Sequence, residues 1–237
     1  MSADDLGLGL WICRPASDFG PWTLDLGLWT LDSSLLVHVC CGGCAAAILQ
    51  RVRRFGRLAF HCFNPNVHPL LEFRRRLTAV RMLADREHLA LVADDRYDLK
   101  GFLARTAPWD RPARCLACYR LRLAETARVA AEQGFEAITT TLLTSVHQDH
   151  EAVRRIGQEE AAARGLAFHY EDWRPLAEHG HQEARRLSLY RQQYCGCVFS
   201  EEERFAPTRL HVYRGGATGR PDAKGDSPGR DEDGGET

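Results

Sequence analysis

Between residues 34 and 170 the chain alternates short apolar runs with longer amphipathic stretches. The runs are 34–39 (SLLVHV), 58–63 (LAFHCF), 89–93 (LALVA), 135–141 (FEAITTT) and 166–170 (LAFHY). Segments of helical periodicity lie between them at 44–55, 70–88, 115–133 and 151–163, and a last one follows at 182–193. Gly134 supplies a stop after the third of these. Strands separated by helices pair in parallel through right-handed crossovers. The expectation is a single α/β domain with a Rossmann-like (HUP-like) parallel sheet of about five strands flanked by helices. In such a sheet, function gathers beyond the carboxyl ends of the strands.

The ends of the chain read differently. Residues 214–237 hold Gly, Pro and charge with no large apolar side chain, and are expected to be a disordered tail. Residues 1–33 form a leader with scattered Leu and Trp and an echo, Trp22-Thr-Leu-Asp and Trp29-Thr-Leu-Asp, whose order the sequence leaves open. The catalytic domain is expected over 34–213. The first ten residues carry Asp4 and Asp5 and no basic residue, the reverse of a signal peptide. No apolar run approaches the ~18 residues of a membrane span. A cytoplasmic, thiol-reducing location with no membrane partner is therefore expected. The formal net charge of −1 averages acidic ends and a modestly basic body, which permits a polyanionic partner without requiring one.

In a reducing compartment, nine cysteines at short spacings are more often metal or redox groups than disulfides. Seven fall into three clusters: Cys40, Cys41 and Cys44; Cys115 and Cys118; Cys195 and Cys197. A C-x-x-C at a helix start lets two sulfurs converge on one centre, where the helix dipole favours thiolates. Cys-Gly-Cys brings two more together on a glycine turn. Seven thiols exceed the four that one structural zinc or one iron–sulfur cluster takes. Cys62 lies within a strand and reads as a packed thiol, and Cys13 has no near partner. The radical-type C-x-x-x-C-x-x-C is absent because residue 47 is Ala, and neither a ferredoxin run nor a P-loop is present.

The strand ends carry further polar groups. Asn64, Asn66 and His68 follow the second strand in a turn held by Pro65 and Pro69. Thr139 and Thr141 share a face of the fourth strand by alternation, with Ser145 and Gln148 in the loop beyond. Asp172 ends the fifth strand and suits a proton donor if burial raises its carboxyl, or otherwise a cap. Arg75 and Arg76 belong to a triple arginine run of which at most two can face one ligand, a phosphate by guanidinium chemistry.

The segments HVCCGGC, CFNPNVHPLLEFRRR, RCLACYRLRL, FEAITTTLLTS and SLYRQQYCGCVFS resemble, in this order, the QueH-type epoxyqueuosine reductases. The resemblance spans residues 35 to 200 and excludes the leader and tail. It implies reduction of the epoxide of epoxyqueuosine, at the tRNA wobble position, to queuosine, the last step of queuosine biosynthesis. It also implies a [4Fe-4S] cluster with an additional iron ion, and no cobalamin. The partners implied are tRNA carrying epoxyqueuosine and an unidentified electron donor. Members commonly read CCAPC at the first cluster; here CCGGC makes that loop look more flexible. Cys115 and Cys118 are assigned to the cluster with Cys41 and Cys197 as next choices, leaving Cys40, Cys44 and Cys195 to the additional iron or the substrate side. Tyr194 and Arg191, beside the CGC, suit proton donation, base stacking or phosphate pairing. Two alternatives are weighed. One is an ATP-dependent tRNA sulfur transferase or other PP-loop-like enzyme, against which the missing Ser and Asp of that loop argue. The other is a zinc-stabilised RNA-binding module.

Overall fold

The computed structural model describes residues 33–207, so the expectations for the tail, Cys13 and nearly all of the leader lie outside the described residues. The strands are β1 (Ser34–His38), β2 (Arg57–Cys62), β3 (Ala90–Ala93), β4 (Ala137–Thr140) and β5 (Ala167–Phe168). The helices are α1 (Gly42–Val52), α2 (Leu70–Arg86), α3 (Leu99–Arg105), α4 (Ala113–Glu132), α5 (His150–Ala162), α6 (Ala177–Arg186) and α7 (Val198–Phe205). All neighbouring strands are parallel, in the order β3-β2-β1-β4-β5. The expected α/β class and five-stranded parallel sheet are both present.

β1 is central, with Val37 level with Phe60 of β2 on one side and Thr139 of β4 on the other. β1 and β4 are buried along their whole length, which explains their continuous apolar runs. Leu35, Val37 and Val39 join the larger core with Ile48 and Leu49 of α1 and Phe73 and Val80 of α2. Leu36, Ala59 and Ile138 join a smaller one with Ala127 and Ala130 of α4. From β1 the chain winds outward through β2 and β3, then crosses through α4 to the other side. The direction of winding therefore reverses between β1 and β4, and the crevice at their carboxyl ends is the switch point.

Four elements depart from the sequence expectation, and α3, capped by Asp98, is one that it lacks altogether. α1 starts at Gly42, not Cys44, because Cys41 is its N-cap and its sulfur accepts the Cys44 N–H at 3.3 Å. The helix expected over 182–193 is α6, which begins at Ala177 and stops before Leu187. Ser188 turns it off at φ 54°, and the Leu189 N–H closes back on the Ala184 carbonyl. α7 was not expected at all; its cap is the sulfur of Cys197, which accepts the Ser200 N–H at 3.3 Å.

α6 lies close against α1 through small residues. A Cβ on Gly180 would sit 2.6 Å from the Ala47 Cβ and 2.9 Å from the Gly43 carbonyl oxygen. This contact fixes where the chain leaves α6 toward the CGC. Gly180→Val is expected to destabilise the protein by about 1–3 kcal/mol through overpacking, seen as a lower melting temperature by circular dichroism. An unchanged melting temperature would show that the two helices can separate freely.

Candidate metal site at the carboxyl edge of the sheet

Two sets of thiols meet at this edge. The first follows β1. The sulfurs of Cys40, Cys41 and Cys44 all lie within 4.8 Å of one another. The Cys40 N–H donates to Thr141 Oγ1 at 2.9 Å and the Thr141 hydroxyl donates to Cys40 Sγ at 3.1 Å. Gln192 Nε2 approaches Cys44 Sγ at 3.7 Å. Hydrogen bonds from Cys41 and Cys44 hold the Cys40 thiol well below the usual range, while Cys41 is pushed well above it and Cys44 up to about 12. One sulfur of the trio thus ionises readily and the other two resist it as neighbours of that charge. A tetrahedral ion with metal–sulfur bonds of ~2.3 Å holds its sulfurs about 3.8 Å apart, within that bound and near the 4.0 Å between Cys40 and Cys41. The glycines of CCGGC are not a flexible loop. They form the first turn of α1, and a Cβ on Gly42 would sit 2.9 Å from the Ala79 carbonyl oxygen of α2.

The second set combines Cys115 and Cys118, in the first turns of α4, with Cys195 and Cys197 of the CGC segment. Cys118 and Cys197 share an apolar nest with Phe102, walled by Leu103, Leu121 and Phe199. Burial pushes the Cys118 thiol up to about 12 and raises Cys195. Gln148 reaches Cys195 Sγ with Nε2 at 3.6 Å while its Oε1 accepts from the Tyr119 hydroxyl at 2.9 Å. Among the described residues no three of these thiols lie as close together as the first trio. That wider spacing suits a multi-iron cluster better than a single ion.

The CGC segment has no secondary structure and is held from below. Arg76, 2% exposed, pairs with Glu72 at 2.7 Å and donates to the carbonyls of Cys195 at 2.9 Å and Tyr194 at 3.0 Å. Gly196 has φ 122°, and a Cβ on it would lie 2.9 Å from Arg76 Nη1. The Tyr194 hydroxyl donates to the His68 carbonyl at 2.5 Å, and the His68 N–H to the Gly196 carbonyl at 2.7 Å. The expectation of Arg76 on phosphate is corrected by this geometry, since its guanidinium works inside the protein. Arg75 is exposed, 5.8 Å from the Tyr190 ring.

The other expected residues divide. Asn64 donates to the Val39 carbonyl at 2.8 Å and accepts from Arg122 at 2.7 Å. Asn66 is fully buried with no hydrogen-bond partner for either amide atom, and His68 Nε2 is likewise unpartnered. Thr139 and Thr141 do not act from one face: Thr139 donates to the His169 carbonyl at 2.7 Å, whereas Thr141 opens a 3-10 turn and serves Cys40. Ser145 caps the His147 N–H within its own loop. Asp172 is exposed, and its hydrogen bonds from Arg174 pull the carboxyl down to about 2, so burial does not make it a proton donor. Arg191 is exposed. Cys62 is a packed thiol as expected, pushed up to about 11 by burial.

Sequence reasoning passed over His38, Thr140 and Arg122. Arg122 is 1% exposed and donates through Nε to His38 Nε2 at 3.3 Å, while His38 Nδ1 lies 2.7 Å from Thr140 Oγ1. Its signal was spacing: it follows Cys118 by four residues on α4 and so shares that helix face.

Fold and site define a parallel α/β protein whose switch-point edge carries thiols able to ligate metal. A family model described as Epoxyqueuosine reductase QueH matches residues 35–203. Curated proteins named Epoxyqueuosine reductase QueH match over most of the same span. The one from Dehalococcoides mccartyi is 34% identical over 172 residues, 72% of this chain and 94% of that protein. The one from Thermotoga maritima is 30% identical over 181 residues, covering 72% and 92% respectively. The chain belongs to the epoxyqueuosine reductase QueH family.

The buried grip on the CGC segment is directly testable. Arg76→Ala leaves Glu72 buried without its partner, a cost of about 3–5 kcal/mol. The melting temperature should fall by on the order of 10 °C. Arg75→Ala should stay within about 0.5 kcal/mol of the parent. Equal effects from the two would remove Arg76 from this role.

Proposed function

We propose that this chain is an epoxyqueuosine reductase acting on tRNA, and that its seven edge cysteines hold iron. The observation carrying this reading is the division of seven thiols into one close trio and one wider set, at the switch point of a member of this family. The widely spaced Cys115, Cys118, Cys195 and Cys197 would hold a [4Fe-4S] cluster. The trio Cys40, Cys41 and Cys44 would hold an additional iron. This differs from the division drawn from sequence, which placed Cys41 with the cluster and Cys195 with the additional iron or the substrate side. The donor chemistry fits: all seven ligands are thiols, and helix N-termini offer N–H groups to Cys41 and Cys197.

Converting an epoxide to an alkene takes two electrons and two protons, and the oxygen leaves as water. Such a centre supplies electrons and a Lewis acid for the oxygen. The chain's own contribution is positioning. Asn66 and His68 Nε2 are buried polar groups without partners beside the CGC, suited to hydrogen-bonding the modified base or its sugar. Arg75 and Arg191 are exposed cations suited to phosphate. The electrons come from an external donor. No helix among the described residues is long and apolar enough to cross a membrane. A tRNA substrate and reduced thiols fit the cytoplasm.

After anaerobic reconstitution the protein should contain at least four iron and four sulfide per chain, and should convert epoxyqueuosine in tRNA to queuosine. Stoichiometric zinc without sulfide would favour the RNA-binding alternative instead. Cys115→Ser and Cys118→Ser should lose the cluster's visible absorption, because serine is a harder and weaker donor to iron. Cys44→Ser should keep that absorption and lose turnover. Full iron content and turnover in Cys115→Ser would overturn the assignment.

A further inference from the structure

We propose that Arg122 is the internal counter-charge of the thiolate centre, a positioning residue set between the two groups of cysteines that makes the centre easier to reduce. The inference rests on the reading of the edge cysteines as metal ligands. Burying a guanidinium requires an anion beside it. The other deeply buried arginine beside the site, Arg76, has Glu72. Arg122 is 1% exposed, yet no carboxylate pairs with it among the described residues. Its hydrogen-bond acceptors are neutral. Asn64 offers an amide oxygen at 2.7 Å, and the His38 imidazole approaches with Nε2 at 3.3 Å. Negative charge must come from elsewhere in the same pocket, and the groups available are sulfurs. Arg122 stands one turn after Cys118 on the buried face of α4, and its partner Asn64 holds the Val39 carbonyl next to Cys40, so its charge lies between the wider set and the trio.

A fixed positive charge next to a metal–thiolate centre favours whichever oxidation state is more negative, which is the reduced one. Removing that charge should therefore make reduction harder, and keeping a cation on a shorter or straighter side chain should restore most of the effect. Arg122 would not touch the epoxide; it would act through the sulfurs. A merely structural arginine would be equally well replaced by a neutral side chain of similar size.

The test uses the reconstituted holoenzyme with Arg122→Gln and Arg122→Lys, each titrated with reductant while the visible and paramagnetic signals of the centre are followed. The expected result is a shift of at least tenfold in the oxidised-to-reduced ratio toward oxidised in Arg122→Gln, about 59 mV for a one-electron couple. Arg122→Lys should lie closer to the parent than to Arg122→Gln. Should Arg122→Gln fail to take up iron while Arg122→Lys does so, the requirement for charge is again supported. An unshifted potential in Arg122→Gln overturns the proposal and leaves the metal reading intact, as does an equal loss of iron uptake in both variants. A parent protein that binds no metal overturns both.

Discussion

The Cys195–Cys197 segment has no helix or strand to fix it, so its two thiols stand where the buried Arg76–Glu72 pair puts them. The pair grows from one turn of α2, and its guanidinium holds two successive carbonyls of the segment. The loop after β2 closes on it from the other side, through Tyr194 to the His68 carbonyl and His68 to the Gly196 carbonyl. These bonds make one unit of pieces more than 100 residues apart in sequence. Removing either charged partner leaves the other buried alone, so the arrangement is specified more strongly than it is stabilised.

The sheet supplies the rest of the geometry. Only a parallel order with its reversal between β1 and β4 brings the end of β1, the start of α4 and the Thr141 turn to one crevice. Small residues then set the depth of approach. Gly42 lets α1 meet α2, and Gly43 and Ala47 let α6 meet α1, so the chain leaving α6 returns to the same edge. The glycines of the CCGGC run therefore serve close packing, although in sequence they resemble freedom.

Much of this was legible beforehand, and the exceptions share a cause. β1 and β4 were readable because strands buried on both faces are written as continuous apolar runs. α4 was readable from its periodicity and Gly134. α7 and the true start of α1 were hidden because their N-caps are Cys197 and Cys41, where sequence rules look for Ser, Thr, Asp or Asn. The end of α6 was hidden because Ser188 takes the left-handed conformation usually given to Gly, and because Leu187 and Leu189 continue the apolar pattern into coil. Within the site, the cysteines, Asn66 and His68 announced themselves by type. Arg122 did not, and Arg76 was singled out for phosphate rather than for its internal grip, since an arginine in a helix reads as surface until its burial is known.

The contrast between those two arginines separates scaffold from function. Arg76 is neutralised by Glu72, and its pairing is complete in the protein alone. Arg122 has only neutral hydrogen-bond partners and the surrounding thiols. Without metal, Cys40 is the thiol of this edge that ionises readily, while hydrogen bonding with Cys40 raises Cys41 and Cys44 and burial raises Cys118 and Cys195. Metal ligation deprotonates thiols and would so add to the negative charge beside Arg122. Ligand binding to the native state alone stabilises it by mass action, and at this edge the same event would also relieve a buried cation. On the proposed reading, the thiol-rich edge and the carboxylate-free arginine beside it form one electrostatic unit, in which ligated thiolates would balance the charge that no carboxylate meets.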